Sequence, residues 1–277
     1  MKIRKNIAAL ARVVAADMSG HTSADLKPLW MAANTFDFDL DTPIFRIIEL
    51  DRLKADVIAN QFSLKNAHPD SWNDKYENPF LKLTAMLDGE EVYIEPLLND
   101  FYASCWTKNP DENMQNWKSF SYKNRSVRIQ TTLRKILDRL MCTDCEAYSL
   151  RYFAGAVDYV EQTELEQHRL NVAGDANLIM DSQGQALALS VMLVRTFYST
   201  EQEVRVLYSH RPNKWTDNHV SIRGKHCYHT FDWNSCVDEV ICGPYMDTKD
   251  VSDFKEFLGV AGHNWPVRRT EFSLDEM

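Results

Sequence analysis

Short segments with strand character and short segments with helix character follow one another irregularly along this chain of 277 residues. The segment PIFRIIEL (43–50) reads as a strand, residues 51–60 read as a helix, and QFSLKNA (61–67) reads as a second strand. Elsewhere, strand patterns recur without a helix between each pair. Because a doubly wound sheet needs regular alternation, this order predicts an α+β fold instead.

Composition limits the classes of function. Hydrophobic residues make up 44% of the chain, enough to bury the core of one large domain. The net charge of -9 and the pI near 5.4 argue against a protein that mainly coats DNA or an anionic membrane. Positive charge is nevertheless concentrated between residues 117 and 140. This basic segment (117–140) is typical of either a polyanion-binding surface or a solvated helix face.

The N-terminal segment predicts an amphipathic helix rather than a signal peptide. Arg12 interrupts its apolar part, and Asp17 stands where a cleavage site would fall. No apolar run approaches the roughly 20 residues that span a bilayer. We therefore expect a soluble cytoplasmic protein without a membrane segment. A boundary near Asp41 divides an N-terminal helical extension, residues 1–41, from a main domain, residues 42–277.

The cysteines give a weak metal signal. Six cysteines in a chain without a secretory signal are expected to be reduced. Cys142 and Cys145 form one C-x-x-C, and HCYHT places Cys227 between two histidines. Structural zinc needs four such ligands in close array, and no second spaced pair follows. The sequence therefore predicts no metal site.

The stretch TFYSTEQEVRVLYS (196–209) reads as one strand with an unusual polar face. Residues two apart on a strand point to the same side, so Glu201, Glu203 and Arg205 share a face. On an exposed strand these side chains would form a salt-bridge ladder. On a strand that lines a cleft they would serve as acid, base and anchor.

Two further positions join this Glu-x-Glu. Arg46 lies in the middle of the apolar strand 43–50, where a buried charge is costly unless it is paired, for example with Glu49, or meets an anion. Ser63 lies on the next strand. An arginine on a first strand, a serine on a second and a late Glu-x-Glu resemble the arginine, serine, glutamate arrangement of the ADP-ribosyltransferase superfamily.

A longer succession of motifs extends this resemblance over residues 42–272. FRIIELDRLKADVIANQFSLKNAHPDSWND, YASCWT followed by NWKSFSY, FAGAVDYV, TEQEVRVLY and VDEVICGP are similar to a widespread bacterial family of formerly unknown function. Some members of that family are linked to abortive phage infection. The resemblance implies an α+β catalytic domain with an ADP-ribosyltransferase-like, mixed and mainly antiparallel split sheet and flanking helices.

The resemblance also implies roles for the residues of the site. Arg46 would anchor the substrate NAD, and Ser63 would orient Glu203. Glu203 would bind the ribose 2′-hydroxyl and stabilise the cationic sugar as nicotinamide leaves, while Glu201 would accept the proton of the incoming nucleophile. Further NAD contacts are expected from Trp72, Asn73, Asp74 and Tyr76. Contacts with the acceptor are expected from Trp117, Tyr122, Lys123 and Arg125, with core packing an open alternative for Trp117.

The expected function is that of a toxin or effector in phage defence. It would transfer ADP-ribose from NAD to a nucleic acid, with RNA favoured, or to a protein. An antitoxin or inhibitor protein would restrain it by docking on the N-terminal helix or on an exposed apolar face. Two alternatives stay open: a non-enzymatic sensor or interaction module, in which the Glu-x-Glu-x-Arg is structural, and a metal-dependent nuclease.

Overall fold

The computed structural model describes residues 6–67, 79–121, 124–145 and 147–272. The α-helices in these ranges are α1 (Ile7–Met18), α2 (Ser23–Ala33), α3 (Leu50–Ile58), α4 (Met114–Ser121), α5 (Leu133–Leu140), α6 (Gln162–Gly174), α7 (Gln185–Val191), α8 (Thr216–His219) and α9 (Thr248–Val260). The strands are β1 (Thr35–Phe36), β2 (Pro43–Glu49), β3 (Gln61–Asn66), β4 (Thr84–Leu87), β5 (Glu90–Tyr93), β6 (Phe101–Thr107), β7 (Ser126–Thr132), β8 (Tyr152–Ala156), β9 (Asp158–Val160), β10 (Leu193–Arg195), β11 (Glu203–Ser209), β12 (Val220–Arg223), β13 (His226–Thr230), β14 (Glu239–Cys242) and β15 (Val267–Arg269).

Most of these strands form one large mixed sheet. Its main path runs β1-β8-β11-β6-β2-β7-β14-β15, and a branch runs from β6 through β3 and β13 to β12. The β1/β8 and β14/β15 pairs are parallel, whereas the remaining pairs of this sheet are antiparallel. The predicted α+β class, with a mixed, mainly antiparallel sheet flanked by helices, is confirmed.

The sheet divides at β6. One end of this strand pairs with β2 at a single position, Phe45 with Thr107, and the other end pairs with β3 at Ala103 and Tyr102. β2 and β3 therefore leave β6 at different places, and a gap opens between β2 and the remainder of β6. This split between β2 and β6 is called the fork, and the cavity of the candidate active site opens there.

The two faces of the sheet carry separate cores. Val204, Val206 and Tyr208 of β11 belong to one buried cluster, which helices α3, α5 and α9 cover. The alternate residue Leu207 belongs to a second cluster, with Phe153 and residues of α6 and α7. Alternation with a period of two thus buries both faces of the strand, as expected where helices pack on both sides of a sheet.

The N-terminal 41 residues contribute to this sheet as well as to the helical layer. α1 and α2 pack on each other, and β1 then pairs with β8 through Thr35 with Ala154 and Phe36 with Gly155. The boundary at residue 41 stays a prediction. In the four ranges that the structure describes, no helix has the length and apolar character needed to cross a bilayer.

The close approach of Gly243 to Trp117 predicts a stability effect. A Cβ atom at Gly243 would lie 2.7 Å from Cζ3 of Trp117 and 2.8 Å from the carbonyl oxygen of Ser126. Because these neighbours are buried and one is backbone, we expect Gly243→Ala to lower the free energy of unfolding by about 1–3 kcal/mol, measured by urea denaturation. The matched control is Gly259→Ala in α9, where a Cβ meets nothing within 4 Å. That variant should gain about 0.5–1 kcal/mol, and equal effects of the two would contradict the account.

Candidate active site

A cavity of about 300 Å³ opens at the fork between β2 and β6. Residues from both faces of the sheet line it, which an unbroken sheet would prevent. The lining residues with charged, polar or aromatic side chains are Phe45, Arg46, Glu49, Arg52, Cys105, Trp106, Thr107, Asn116, Phe120, Ser121, Asn124, Arg128, Glu201 and Glu203. The fork thus brings together three of the four residues predicted for catalysis, namely Arg46, Glu201 and Glu203.

Arg46 is half-buried, and a hydroxyl group fixes its direction. Its Nη1 donates to Oγ of Ser104 at 2.8 Å, and the indole Nε1 of Trp106 donates to the same oxygen at 3.0 Å. The guanidinium lies 5.9 Å from the centroid of the Trp106 ring. Burial, with a further contribution from the charge of Arg52, lowers the pKa of Arg46 to about 10, so the group is still a cation at neutral pH. The ion pair considered between Arg46 and Glu49 is not formed.

Arg128 supplies a second buried guanidinium to the cavity. It stacks on the ring of Phe45, with 3.9 Å between the guanidinium carbon and the ring centroid. Its Nη2 donates to the carbonyl oxygens of Asn109 at 2.9 Å and Pro110 at 2.8 Å. Burial lowers the pKa of Arg128. Carbonyl groups rather than a carboxylate hold this cation, so its positive charge adds to the potential of the cavity.

Glu203 is the first residue of β11 and is almost fully buried. Arg205, two residues on along the same face, donates from Nε to Oε1 at 2.7 Å and from Nη2 to Oε2 at 3.0 Å. The remaining Nη1 of Arg205 donates to the carbonyl oxygen of Val191 at 2.7 Å. This bidentate pair fixes the plane of the Glu203 carboxylate. Each of its oxygens keeps a second lone pair for a ligand hydroxyl.

Glu201 does not lie on the same strand as Glu203, so that part of the sequence interpretation is wrong. Residues Thr196–Glu201 form a 3₁₀ helix, and Gln202, with a φ of 46°, turns the chain into β11. The Thr107 hydroxyl donates to the carbonyl oxygen of Glu201 at 2.7 Å and holds this turn against β6. Burial, followed by the charge of Glu203, raises the pKa of Glu201. A half-buried carboxylate with a raised pKa is typical of a general base.

Ser63 contacts other partners than the one predicted. Its hydroxyl donates to Oδ2 of Asp56 at 2.6 Å and accepts from Nη2 of Arg52 at 3.2 Å. It is buried, and it is not among the residues that line the cavity. The prediction that Ser63 orients Glu203 is therefore wrong. Arg205 does so instead.

The structure describes only some of the residues that were predicted to contact the acceptor or NAD. Trp117 is fully buried, so the prediction that it binds the acceptor is wrong and the alternative of core packing holds. Arg125 is half-exposed and forms ion pairs with Asp250 at 3.0 Å and Asp51 at 3.3 Å. The following predicted residues lie outside the described ranges: Trp72, Asn73, Asp74, Tyr76, Tyr122 and Lys123.

Carboxylates neutralise three cations of the basic segment. Helix α5 turns its apolar residues into the core and places Arg134 and Lys135 on the outside. Arg134 binds Asp41 at 2.6 Å, and Lys135 pairs with Asp238. Arg125, Arg134 and Lys135 thus each pair with a carboxylate, which favours the interpretation of these cations as a solvated face over a free polyanion surface.

Among the residues that the sequence did not identify, Arg52 and Arg128 bring further cations to the cavity, and Ser104 binds Arg46. Arg52 and Arg128 look like ordinary charged residues of a helix and a strand, and no local pattern separates them from their neighbours. For Ser104, the sequence does contain an indication. In FYASCWT it lies two residues from Trp106, so alternation places its hydroxyl on the aromatic, core-facing side of β6.

The thiols and acidic groups do not assemble into a metal cluster in the part of the chain that the structure describes. No three His, Cys, Asp or Glu side chains there are arranged to hold an ion. Cys142 and Cys227 are free thiols, and Cys145 forms no disulfide. Burial raises the pKa of Cys227 to about 12.

No protein-family model matches this chain, and no curated protein matches its sequence. Among solved structures, it is similar to Thermus sp. 2.9 DarT in complex with ADP-ribosylated ssDNA, with 11% identity, a TM-score of 0.38 and coverage of 86% of this chain and 98% of that one. A second structure, Thermus sp. 2.9 DarT in complex with carba-NAD+, gives 11% identity, a TM-score of 0.36 and coverage of 84% and 97%. Likeness at this level carries no argument about function, which must come from the cavity itself.

Proposed function

We propose that this protein is an NAD-dependent ADP-ribosyltransferase whose active site is the cavity at the β2/β6 fork. One observation carries the proposal: the fork brings Arg46, Glu201 and Glu203 together around one cavity, although they come from distant parts of the sequence. A cation that can bind phosphate and a fixed carboxylate that can stabilise a cationic sugar are the groups that this reaction needs.

Each residue has a defined task in this reaction. Arg46 binds the diphosphate or nicotinamide-ribose region through its guanidinium. Glu203, held by Arg205, accepts a hydrogen bond from the ribose 2′-hydroxyl and stabilises the positive charge that develops on the sugar as the bond to nicotinamide breaks. Glu201 takes the proton of the attacking acceptor hydroxyl or amine. The new bond joins the sugar C1′ to the acceptor, and nicotinamide leaves.

The proposed acceptor is a nucleic acid, with RNA favoured. Two exposed aromatic side chains support this class, one at the cavity and one on the element that carries Glu201. Phe120 lines the cavity and is 42% exposed, and Phe197, on the 3₁₀ helix that ends at Glu201, is 80% exposed. Exposed aromatic rings provide stacking surfaces for unpaired bases.

The proposed setting is phage defence, with an antitoxin or inhibitor protein as partner. The exposed side of α1 supports a docking site there. Ile7, Val14 and Met18 recur at helical spacing and are 71%, 54% and 85% exposed. An apolar stripe of this kind fits a partner groove or helix. Replacing all three by Ser should abolish binding of a co-encoded inhibitor, and unchanged binding would contradict the docking site.

The test of the proposed function is a labelling experiment. The purified full chain is incubated with NAD labelled in its adenylate part, together with total RNA, single-stranded DNA or total protein, with and without a chelator. We expect nicotinamide release and label in the RNA fraction, unaffected by the chelator. Label in DNA or protein would support the transferase activity but identify a different acceptor. Release without label would indicate NAD hydrolysis.

The non-enzymatic alternative has a specific observation in its favour. A buried bidentate pair between Glu203 and Arg205 is also what a purely structural role would produce. If a folded, inhibitor-free protein neither releases nicotinamide nor transfers label, this alternative gains support. Cleavage of nucleic acid that the chelator abolishes would support the metal-dependent nuclease.

The raised pKa of Glu201 predicts a pH dependence of transfer. A general base works in its deprotonated form, so the transfer rate should fall as the pH drops through the pKa of Glu201. Since that pKa lies above the ordinary value of 4.5, the acidic limb of the pH profile should lie above 4.5 as well. Glu201→Gln should lower label transfer by about 10²- to 10⁴-fold and change nicotinamide release less. Equal losses in both steps would contradict the assignment.

A further inference from the structure

Arg52 places another cation beside Arg46, and the proposed reaction assigns it no task. Both guanidiniums line the same cavity. They are close enough that Arg52 is the second-largest cause, after burial, of the lowered pKa of Arg46. Within the described ranges neither forms an ion pair with a carboxylate, although Glu49 lines the cavity too. Two unpaired like charges in a partly dehydrated space repel each other.

A buried relay fixes Arg52 in this position. Asp56, with 4% of its surface exposed, accepts a hydrogen bond from Nε2 of Gln61 at 2.9 Å and another from Oγ of Ser63 at 2.6 Å. A hydroxyl has one proton, so Ser63 is left with only acceptor positions. It uses one of them for Nη2 of Arg52 at 3.2 Å. Asp56 thus sets the direction of Ser63, and Ser63 that of Arg52.

The positive potential continues along the neighbouring strands. His226 on β13 pairs with Lys65 on β3, the strand that also carries Ser63. Burial lowers the pKa of His226, the charges of Arg52 and Lys65 lower it further, and the charge of Asp56 raises it. Cations gathered at a cleft raise the local concentration of anionic ligands.

We infer that Arg52, positioned by Asp56 through Ser63, forms with Arg46 the site that binds a diphosphate group. A diphosphate carries negative charge on two adjacent phosphoryl groups, so it can meet both cations at once and remove their repulsion. The inference rests on the proposed function only for the statement that the diphosphate belongs to NAD. It gives Ser63 a positioning role toward Arg52 and none toward Glu203.

The test measures binding without any reaction. Inorganic pyrophosphate, ADP and NAD are titrated calorimetrically into the full-length wild type and into Arg52→Gln, Arg52→Lys and Ser63→Ala. We expect Arg52→Gln to raise the Kd of pyrophosphate and ADP roughly tenfold or more, as the loss of charge-assisted hydrogen bonds predicts. Arg52→Lys and Ser63→Ala should have smaller effects in the same direction. Arg134→Gln, which removes an exposed cation paired with Asp41, should leave each Kd unchanged.

The outcomes separate this inference from the proposed function. Wild-type affinity of folded Arg52→Gln or Arg52→Lys for pyrophosphate would overturn the diphosphate site, even if the protein consumes NAD. Binding of pyrophosphate through Arg52 without nicotinamide release from NAD would keep the site and reject the proposed reaction. Weaker binding in Arg134→Gln to the same extent would show a general charge effect and would also overturn the site.

Discussion

Glu203→Gln is expected to bind NAD within a few-fold of the wild-type Kd but to release nicotinamide about 10²- to 10³-fold more slowly. The amide keeps the size of the side chain and can still accept a hydrogen bond from the ribose. It lacks the negative charge that stabilises the cationic sugar in the transition state. The loss should therefore appear in kcat rather than in KM. Single-turnover release with saturating NAD measures it directly.

The control for this variant must separate chemistry from folding, because the substitution also leaves Arg205 without its carboxylate. Rates are therefore measured well below the unfolding midpoint and divided by the NAD-binding capacity of the sample. Glu239→Gln is the matched variant, since Glu239 pairs with Arg268 at 3.0 Å at the surface and lies outside the cavity. Equal rates in Glu203→Gln and Glu239→Gln would exclude a catalytic role for Glu203.

Arg205→Met is expected to cost about 3–5 kcal/mol of unfolding free energy. The Arg205 side chain is 1% exposed and that of Glu203 is 7% exposed, so removing the guanidinium leaves a buried carboxylate without a counter-charge. Urea denaturation at neutral pH measures the loss. Arg268→Met is the matched control. Its side chain is 44% exposed and bridges Glu112 and Glu239, and a surface pair of this kind contributes about 0–1 kcal/mol.

A double-mutant cycle tests the cause of that loss. The double variant Glu203→Gln with Arg205→Met removes both charges. Its loss of stability should be clearly smaller than the sum of the two single losses, since no unpaired charge remains. Additive losses would mean that the two side chains act independently, and the pair would then not be what holds Glu203 in place.

The sequence predicted the elements around the fork well. β2, α3 and β3 were expected at 43–50, 51–60 and 61–67. Each lies within one residue of its predicted bounds except at the C-terminal end of α3, where Ile58, two residues before the predicted end, is the last helical residue. Strong alternation of apolar and polar residues in the strands, and a clear apolar stripe on the helix, make the secondary structure of such segments predictable. The short β4/β5 hairpin was missed, because Thr84–Leu87 and Glu90–Tyr93 are too short and too polar for a pattern.

Errors arose where the backbone changes conformation inside a continuous pattern. In the sequence, the period of two in EQEVRV extends back to Glu201, but Gln202 adopts a left-handed conformation, so the strand begins only at Glu203. Helix α7 likewise ends at Val191, inside the continuous apolar run VMLV, and β10 begins two residues later. A left-handed Gln is uncommon, so local sequence gave no warning of the turn before Glu203.

Two residues of the site, Arg46 and Glu203, were predictable from the sequence, but the residues that bind them were not. Arg46 stood out because an arginine in an apolar strand needs an explanation, and Glu203 because it repeats at strand spacing. The partners of these residues depend on which strands adjoin at the fork, and that is a property of topology. Ser63 was consequently paired with Glu203 in the prediction, whereas in the fold it lies beside Asp56 and Arg52.

The most direct test of the central claim is nicotinamide release from NAD by the purified wild-type protein, followed over time without any acceptor and then with total RNA. Release is common to transfer and hydrolysis, so it tests the cavity before the acceptor is known. The account predicts release by the wild type that Glu203→Gln loses and Glu239→Gln keeps. A folded, inhibitor-free wild type that binds NAD but releases no nicotinamide under either condition would contradict it.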